Sequence, residues 1–156
     1  MVAGETLPRS LHLSDLEWAS ASSGYLHMRR DRSVGGAGLS VAGRRYRKGV
    51  GTHPASVIVY DLQGVFSRLT GAFGIEDQNG MPPGVPPVES GRACFSILAD
   101  GRVLLPPTCK VYGEPAQNFD VNLAGVRRLE LRVDQPPDAP ASHAPHSDWV
   151  NMEIMR

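Results

Sequence analysis

The chain runs as short apolar stretches of period two, separated by clusters of turn residues. Val57 and Val59 alternate with Ile58 and Tyr60, so this stretch reads as a strand buried on both faces. A turn at Gln63-Gly64 separates it from a second run in which Leu69, Phe73 and Ile75 share a face. Phe95 and Ile97 lead into Asp100-Gly101, a two-residue hairpin signal, and Val103 and Leu105 follow it. Phe119, Val121 and Leu123 alternate with Asp120 and Asn122, and Leu129, Leu131 and Val133 with Arg128, Glu130 and Arg132. Both read as half-buried strands with one wet face. Val150, Met152 and Ile154 form the last apolar face, opposite Trp149, Asn151 and Glu153. About eight such strands predict an all-β fold, a two-sheet antiparallel β-sandwich or jelly roll. Helical signal is confined to Ser14-Asp15-Leu16-Glu17, where Ser14 precedes Glu17 by three residues as in a capping box.

Three stretches read as long loops: residues 19–38, 77–91 and 135–147. The second carries a Pro-rich insert at 81–88. Composition agrees with turn-rich β-structure: 17 Gly and 13 Pro in 156 residues are too many for a helix-rich protein, and 41% apolar residues are too many for a disordered one. Charge adds an exclusion. With 16 basic and 16 acidic residues the net charge is zero, which does not favour nucleic acid or any partner held by bulk electrostatics. No apolar run reaches the length of a membrane span. Residues 1–12 lack the apolar core of a signal peptide and read as a disordered leader to one domain over residues 13–156. Cys94 and Cys109 flank the Asp100-Gly101 hairpin. A plain two-residue turn sets Cys94 opposite Pro107, whereas a bulge would bring Cys109 there, so their pairing stays open.

Candidate chemistry gathers in three polar blocks, Arg29 through Gly36, Gly49 through His53, and His146 through Trp149, each joining a turn to a strand end. Charged groups beside a Trp are the parts of a sugar site: an aromatic ring packs on the C–H face of a pyranose, and carboxylate with Arg grips vicinal hydroxyls. Glu76 and Asp77 are adjacent on a strand and point to opposite faces, so they do not form the facing carboxylate pair of a glycosidase. No nucleophile-turn motif of a hydrolase is present. The basic run Arg44-Arg45-Tyr46-Arg47-Lys48 reads as a solvated hairpin edge.

Several segments carry a family resemblance: LSDLEW (13–18), RDRSVGG (30–36), YRKGVGTHPASVIVYDL (46–62), FGIEDQ (73–78), CFSILADG (94–101), FDVNLAGVRRLELRVD (119–134) and HSDWVNMEI (146–154). In this order they resemble the NPCBM family, also counted as carbohydrate-binding module family 51. The resemblance covers nearly all of the chain from Leu13 to Ile154. It departs from the family's closing block where Asn151 replaces a second acid. The resemblance implies a galactose-binding-domain-like jelly roll without catalytic activity that binds galactose-containing glycans and is attached to a secreted, extracellular glycoside hydrolase. Within the polar blocks and the Glu76-Asp77 strand end, Arg32, His53, Asp77, His146, Asp148 and Trp149 are the candidate sugar-binding residues. The resemblance also implies a structural calcium ion, for which Asp31, Asp134 and Glu153 are the candidate ligands. The alternative is a structural or protein-interaction sandwich that has lost sugar binding.

Overall fold

The computed structural model describes residues 9–77, 91–139 and 144–156. The described residues form thirteen strands and one 3-10 turn, Leu13–Asp15. The capping arrangement expected at Ser14 does not form: its hydroxyl donates to Asp31 Oδ1 (2.8 Å), seventeen residues away. One sheet runs in the order β11 (Gln117–Asn122), β8 (Arg68–Ile75), β13 (Ser147–Met155), β6 (Gly49–Thr52), β3 (Arg29–Arg30), with β1 (Ser10–His12) also paired to β13. The other runs β10 (Arg102–Val111), β9 (Arg92–Ala99), β12 (Arg128–Asp134), β7 (Ser56–Asp61), β2 (Ser20–Ser22). Pairing is antiparallel in both. A hairpin of β4 (Leu39–Val41) and β5 (Arg44–Tyr46) lies on the outer side of the first sheet, where Leu39 packs on Ala72 and Val150. The domain therefore begins before Leu13, because Ser10–His12 pairs with Glu153–Met155. The Pro-rich insert and residues 1–8 lie outside the described residues.

The two sheets close on the apolar alternation read from the sequence. Ile58, Tyr60, Phe95, Ile97, Leu129, Leu131 and Val133 meet Leu69, Phe73, Ile75, Phe119 and Ile154 in one buried cluster. Phe73 stacks on Phe95 with centroids 4.7 Å apart. The Trp149 ring meets Phe73, Phe95 and Phe119 edge-on at 5.6, 5.3 and 5.9 Å.

In β13 the simple alternation fails. Its register against β8 shifts between Val150 and Glu153, and Asn151 takes φ +52°. This bulge reverses the parity: Trp149 joins Met152 and Ile154 inside, while Val150 turns outward to Leu39 and Ala72. Two register shifts in the β9–β10 hairpin likewise move Cys109 opposite Cys94, and the two form a disulfide.

Candidate functional site

The three polar blocks meet at one end of the first sheet. Arg29 and Arg30 are register partners of Gly51 and Val50, and Ser147 and Asp148 are partners of Thr52 and Gly51. His53 leaves β6 and His146 enters β13 at the same corner, with their rings 5.7 Å apart, edge to face. A third ring extends this row outward. Gly24 donates its N–H to the His53 carbonyl (3.1 Å) and lies so close to Pro54 that a Cβ would sit 2.1 Å from the Pro54 oxygen. That contact fixes the loop and sets the Tyr25 ring 5.6 Å from His53. The row thus passes from His146, 8% exposed, through half-buried His53 to Tyr25, 57% exposed. Burial holds the His53 imidazole below its ordinary pKa, partly offset by hydrogen bonds to the Pro54 and Ala144 carbonyls, so the ring is neutral at pH 7.

The loop between β3 and β4 continues the rim. Gly35 lies against His146, with a Cβ built on it 3.6 Å from the imidazole Cε1. Three residues on, Gly38 lines two adjoining recesses. One, of about 400 Å³, takes in Asp31, Arg32, Arg45 and Tyr46. The other, of about 270 Å³, takes in Ser40, Arg45 and Asp77. Asp77 accepts from the Ser40 hydroxyl and from the Gly43 N–H (2.9 Å), while buried Glu76 accepts from the Ser40 N–H (2.8 Å). These carboxylates anchor the β4–β5 hairpin.

Four of the expected sugar residues, Arg32, His53, Asp77 and His146, lie along this rim. The other two do not. Trp149 is wholly enclosed between the sheets, because the bulge in β13 turns it inward, and it offers no ring face to a ligand. Asp148 faces outward but is wholly buried beneath the segment from Arg32 to Val41. Its strand neighbours are Gly51 and Gly74, and this absence of side chains lets the segment lie flat. A Cβ on Gly51 would stand 2.2 Å from the Arg32 oxygen, and one on Gly74 2.6 Å from Val41 Cγ1. Neither Asp148 oxygen meets a donor at full hydrogen-bond geometry. Burial first, then the neighbouring Glu76 and Asp77 carboxyls, push its pKa well above the usual carboxylate range.

The three acids expected to hold calcium do not share a site. Asp31 receives Lys48 Nζ (2.8 Å), Ser14 and the Gly49 N–H (3.0 Å). Burial opposes its charge, but these bonds outweigh burial and hold it below its ordinary pKa. Lys48 also donates to Asp15 (2.6 Å), so Asp31 already has its cation. Asp134 lies in the other sheet, opposite Cys94, and Glu153 lies on β13 between His12 and Thr70. Among the described residues no three His, Cys, Asp or Glu are grouped to hold a metal, so these acids do not fit a common calcium ion. Sequence reading did not single out Tyr25, which stands exposed on this rim. Its signal was a single aromatic within the polar loop Ser22-Ser23-Gly24, outside any alternating run.

Comparison with known proteins places this geometry in a family. The NPCBM/NEW2 domain profile matches residues 9–155. A protein of Renibacterium salmoninarum named for endo-alpha-N-acetylgalactosaminidase activity is 30% identical over 96% of this chain and 10% of its own length. An alpha-1,3-galactosidase B of Akkermansia muciniphila is 34% identical over 80% of this chain and 15% of its own. The chain thus spans a small fraction of the curated relatives it matches. Among solved structures, the CBM51 module of a Clostridium perfringens family 95 glycoside hydrolase, in complex with methyl-galactose, superposes with TM-score 0.79. It is 26% identical and the match covers 94% of this chain and 99% of that one. The second CBM51 module of the C. perfringens protein ZmpB, in complex with GlcNAc, gives TM-score 0.80 at 25% identity, covering 94% and 31%. The match along the chain and the shared sandwich agree: this chain belongs to the NPCBM/NEW2 family of non-catalytic carbohydrate-binding modules.

Proposed function

We propose that the rim built on Tyr25, His53 and His146 binds one terminal sugar of a galactose-containing glycan, and that the module holds an attached glycoside hydrolase on its substrate. The observation that carries the reading is the exposed Tyr25 ring, backed by a neutral His53 whose ring in turn meets His146 beside the Gly35 loop. An aromatic face next to fixed polar groups is what a pyranose needs: apolar C–H groups on one side and hydroxyls around the edge. Galactose is favoured because a structural relative carries methyl-galactose, and the hydrolase partner because both curated relatives are named as glycosidases that extend far beyond the matched segment. The Cys94–Cys109 disulfide supports an oxidising, extracellular setting. A site this shallow binds a single sugar weakly, and its use lies in tethering, which raises the local concentration of a linked domain.

Glycan-array screening followed by calorimetry with methyl-galactoside tests the reading. Tyr25→Ala is expected to weaken binding by roughly tenfold, about 1.5 kcal/mol of lost ring contact, with the melting temperature unchanged. Wild-type affinity in that variant would remove Tyr25 from the site. A folded protein that binds no glycan on the array would favour the structural or protein-interaction alternative.

A further inference from the structure

We propose that the outer face of the first sheet carries a second saccharide site, in the groove between the β4–β5 hairpin and β11, on the far side of the hairpin from the rim. It rests on the carbohydrate-binding reading of the chain but not on the rim itself. The groove encloses about 390 Å³. Its floor is a polar row set by register: Thr70 on β8 is the partner of Asp120 on β11 and of Glu153 on β13. Two strand spacings put the outer carboxylates about 10 Å apart, which leaves room for one pyranose ring between them. Asn118 and Asn151 add amide groups, which both donate and accept, and Tyr46 with Arg44 forms the hairpin wall.

Three observations say what the groove takes. Its charges cancel: Asp120 is held by Arg68 through a two-pronged pair, and Glu153 faces a groove walled by Arg44. A balanced site selects a neutral polar ligand over phosphate or nucleic acid. Arg44 lies over the Tyr46 ring, 4.9 Å from its centroid, so its guanidinium is pre-positioned to donate to hydroxyls, while Glu153 keeps its carboxylate out of any ion pair among the described residues. The β13 bulge points the same way. Asn151 adopts a left-handed conformation, and its N–H donates to the Lys48 carbonyl (2.8 Å) instead of to β8. Bulges re-aim side chains at binding surfaces, and this one places an amide on the groove. The groove and the larger rim recess adjoin at Tyr46, which lines both, while Arg44 lines only the groove and its neighbour Arg45 only the recesses.

Amide-resonance titration with methyl-galactoside, with N-acetylglucosamine and with a galactose-terminated trisaccharide tests this. At least one probe is expected to shift residues 70–72 and 118–120. Asn118→Ala combined with Glu153→Gln should weaken that response by about tenfold, the loss of hydrogen bonds to a charged group, while leaving shifts at Tyr25 and His53 as in wild type. Both substitutions are at exposed positions, and an unchanged melt confirms that the variant is folded. Groove shifts that persist in the variant, or a folded wild type whose groove resonances respond to none of the probes, would overturn the proposal. Rim shifts without groove shifts would overturn it alone. Groove shifts without rim shifts would uphold it and overturn the rim reading.

Discussion

Asp148 shows how a residue with the chemistry of a ligand serves the fold instead. It lies between two glycines under a backbone segment, wholly buried, with Glu76 beside it. Its pKa is raised on folding, so the folded state holds its proton more tightly than the unfolded one. The resulting stabilisation is complete below the ordinary carboxylate value of about 4 and is lost as pH rises through the raised folded value. Asp148→Asn supplies a neutral amide of the same shape, which has no proton to lose. The difference in melting temperature between variant and wild type should therefore favour the variant above neutrality and shrink toward zero as pH approaches about 4. A variant that melts below wild type across that whole range would overturn the reading that burial of the ionised carboxylate limits stability above neutrality.

The elements divide into those the alternation of residues announced and those it could not. β7, β8, β9, β11 and β12 follow their apolar period, because each has one face or both against the other sheet. β2 and β3 were invisible: their residues are exposed, and they form only because neighbouring strands offer free backbone partners. The parity of β13 was misread, since a bulge leaves no mark in the spacing of Val150, Met152 and Ile154, and that one residue decided whether Trp149 reached ligand or core. Two of the polar blocks, Gly49 through His53 and His146 through Trp149, were legible because each opens onto an apolar run, whereas Arg29 through Gly36 stands within the loop read at 19–38. Gly51 and Gly74 carry a second element-scale consequence, since both let the segment 32–41 seat on the sheet. At Gly51 the obstructing atom is backbone, and at Gly74 it is the Val41 side chain, which can rotate. Gly51→Ala is therefore expected to cost at least about 1–3 kcal/mol in chemical denaturation and to weaken sugar binding by displacing Arg32, with Gly74→Ala costing less. Equal costs would mean that the segment moves freely as a unit.

At the scale of the molecule, stability and binding are assigned to different sheets. Tyr25 aside, the rim and the groove are built on the first sheet and the hairpin that lies on it, whereas the disulfide ties β9 to the edge strand β10 of the second. β10 needs the tie. Its register slips twice, and Pro106 and Pro107 offer no N–H to the ladder, so it is held less firmly by backbone bonds than its length suggests. Closing the loop between residues separated by 15 positions removes conformational freedom from the unfolded chain worth about 3 kcal/mol. Cys94→Ser combined with Cys109→Ser should lower the melting temperature accordingly, and reductant should do the same to the wild type but not to the variant. Because Phe95 and Ile97 of β9 pack across the core on the strands that end at the rim, a loosened β10 could in principle reach the binding site only through β9. β9 remains paired to β12 along its other edge, from Cys94 to Ala99. Sugar affinity at a temperature where both forms are folded is therefore expected to match between variant and wild type in calorimetry. A parallel loss of affinity would show that the two sheets act as one mechanical unit, with the edge strand setting the geometry of a site built on the opposite sheet.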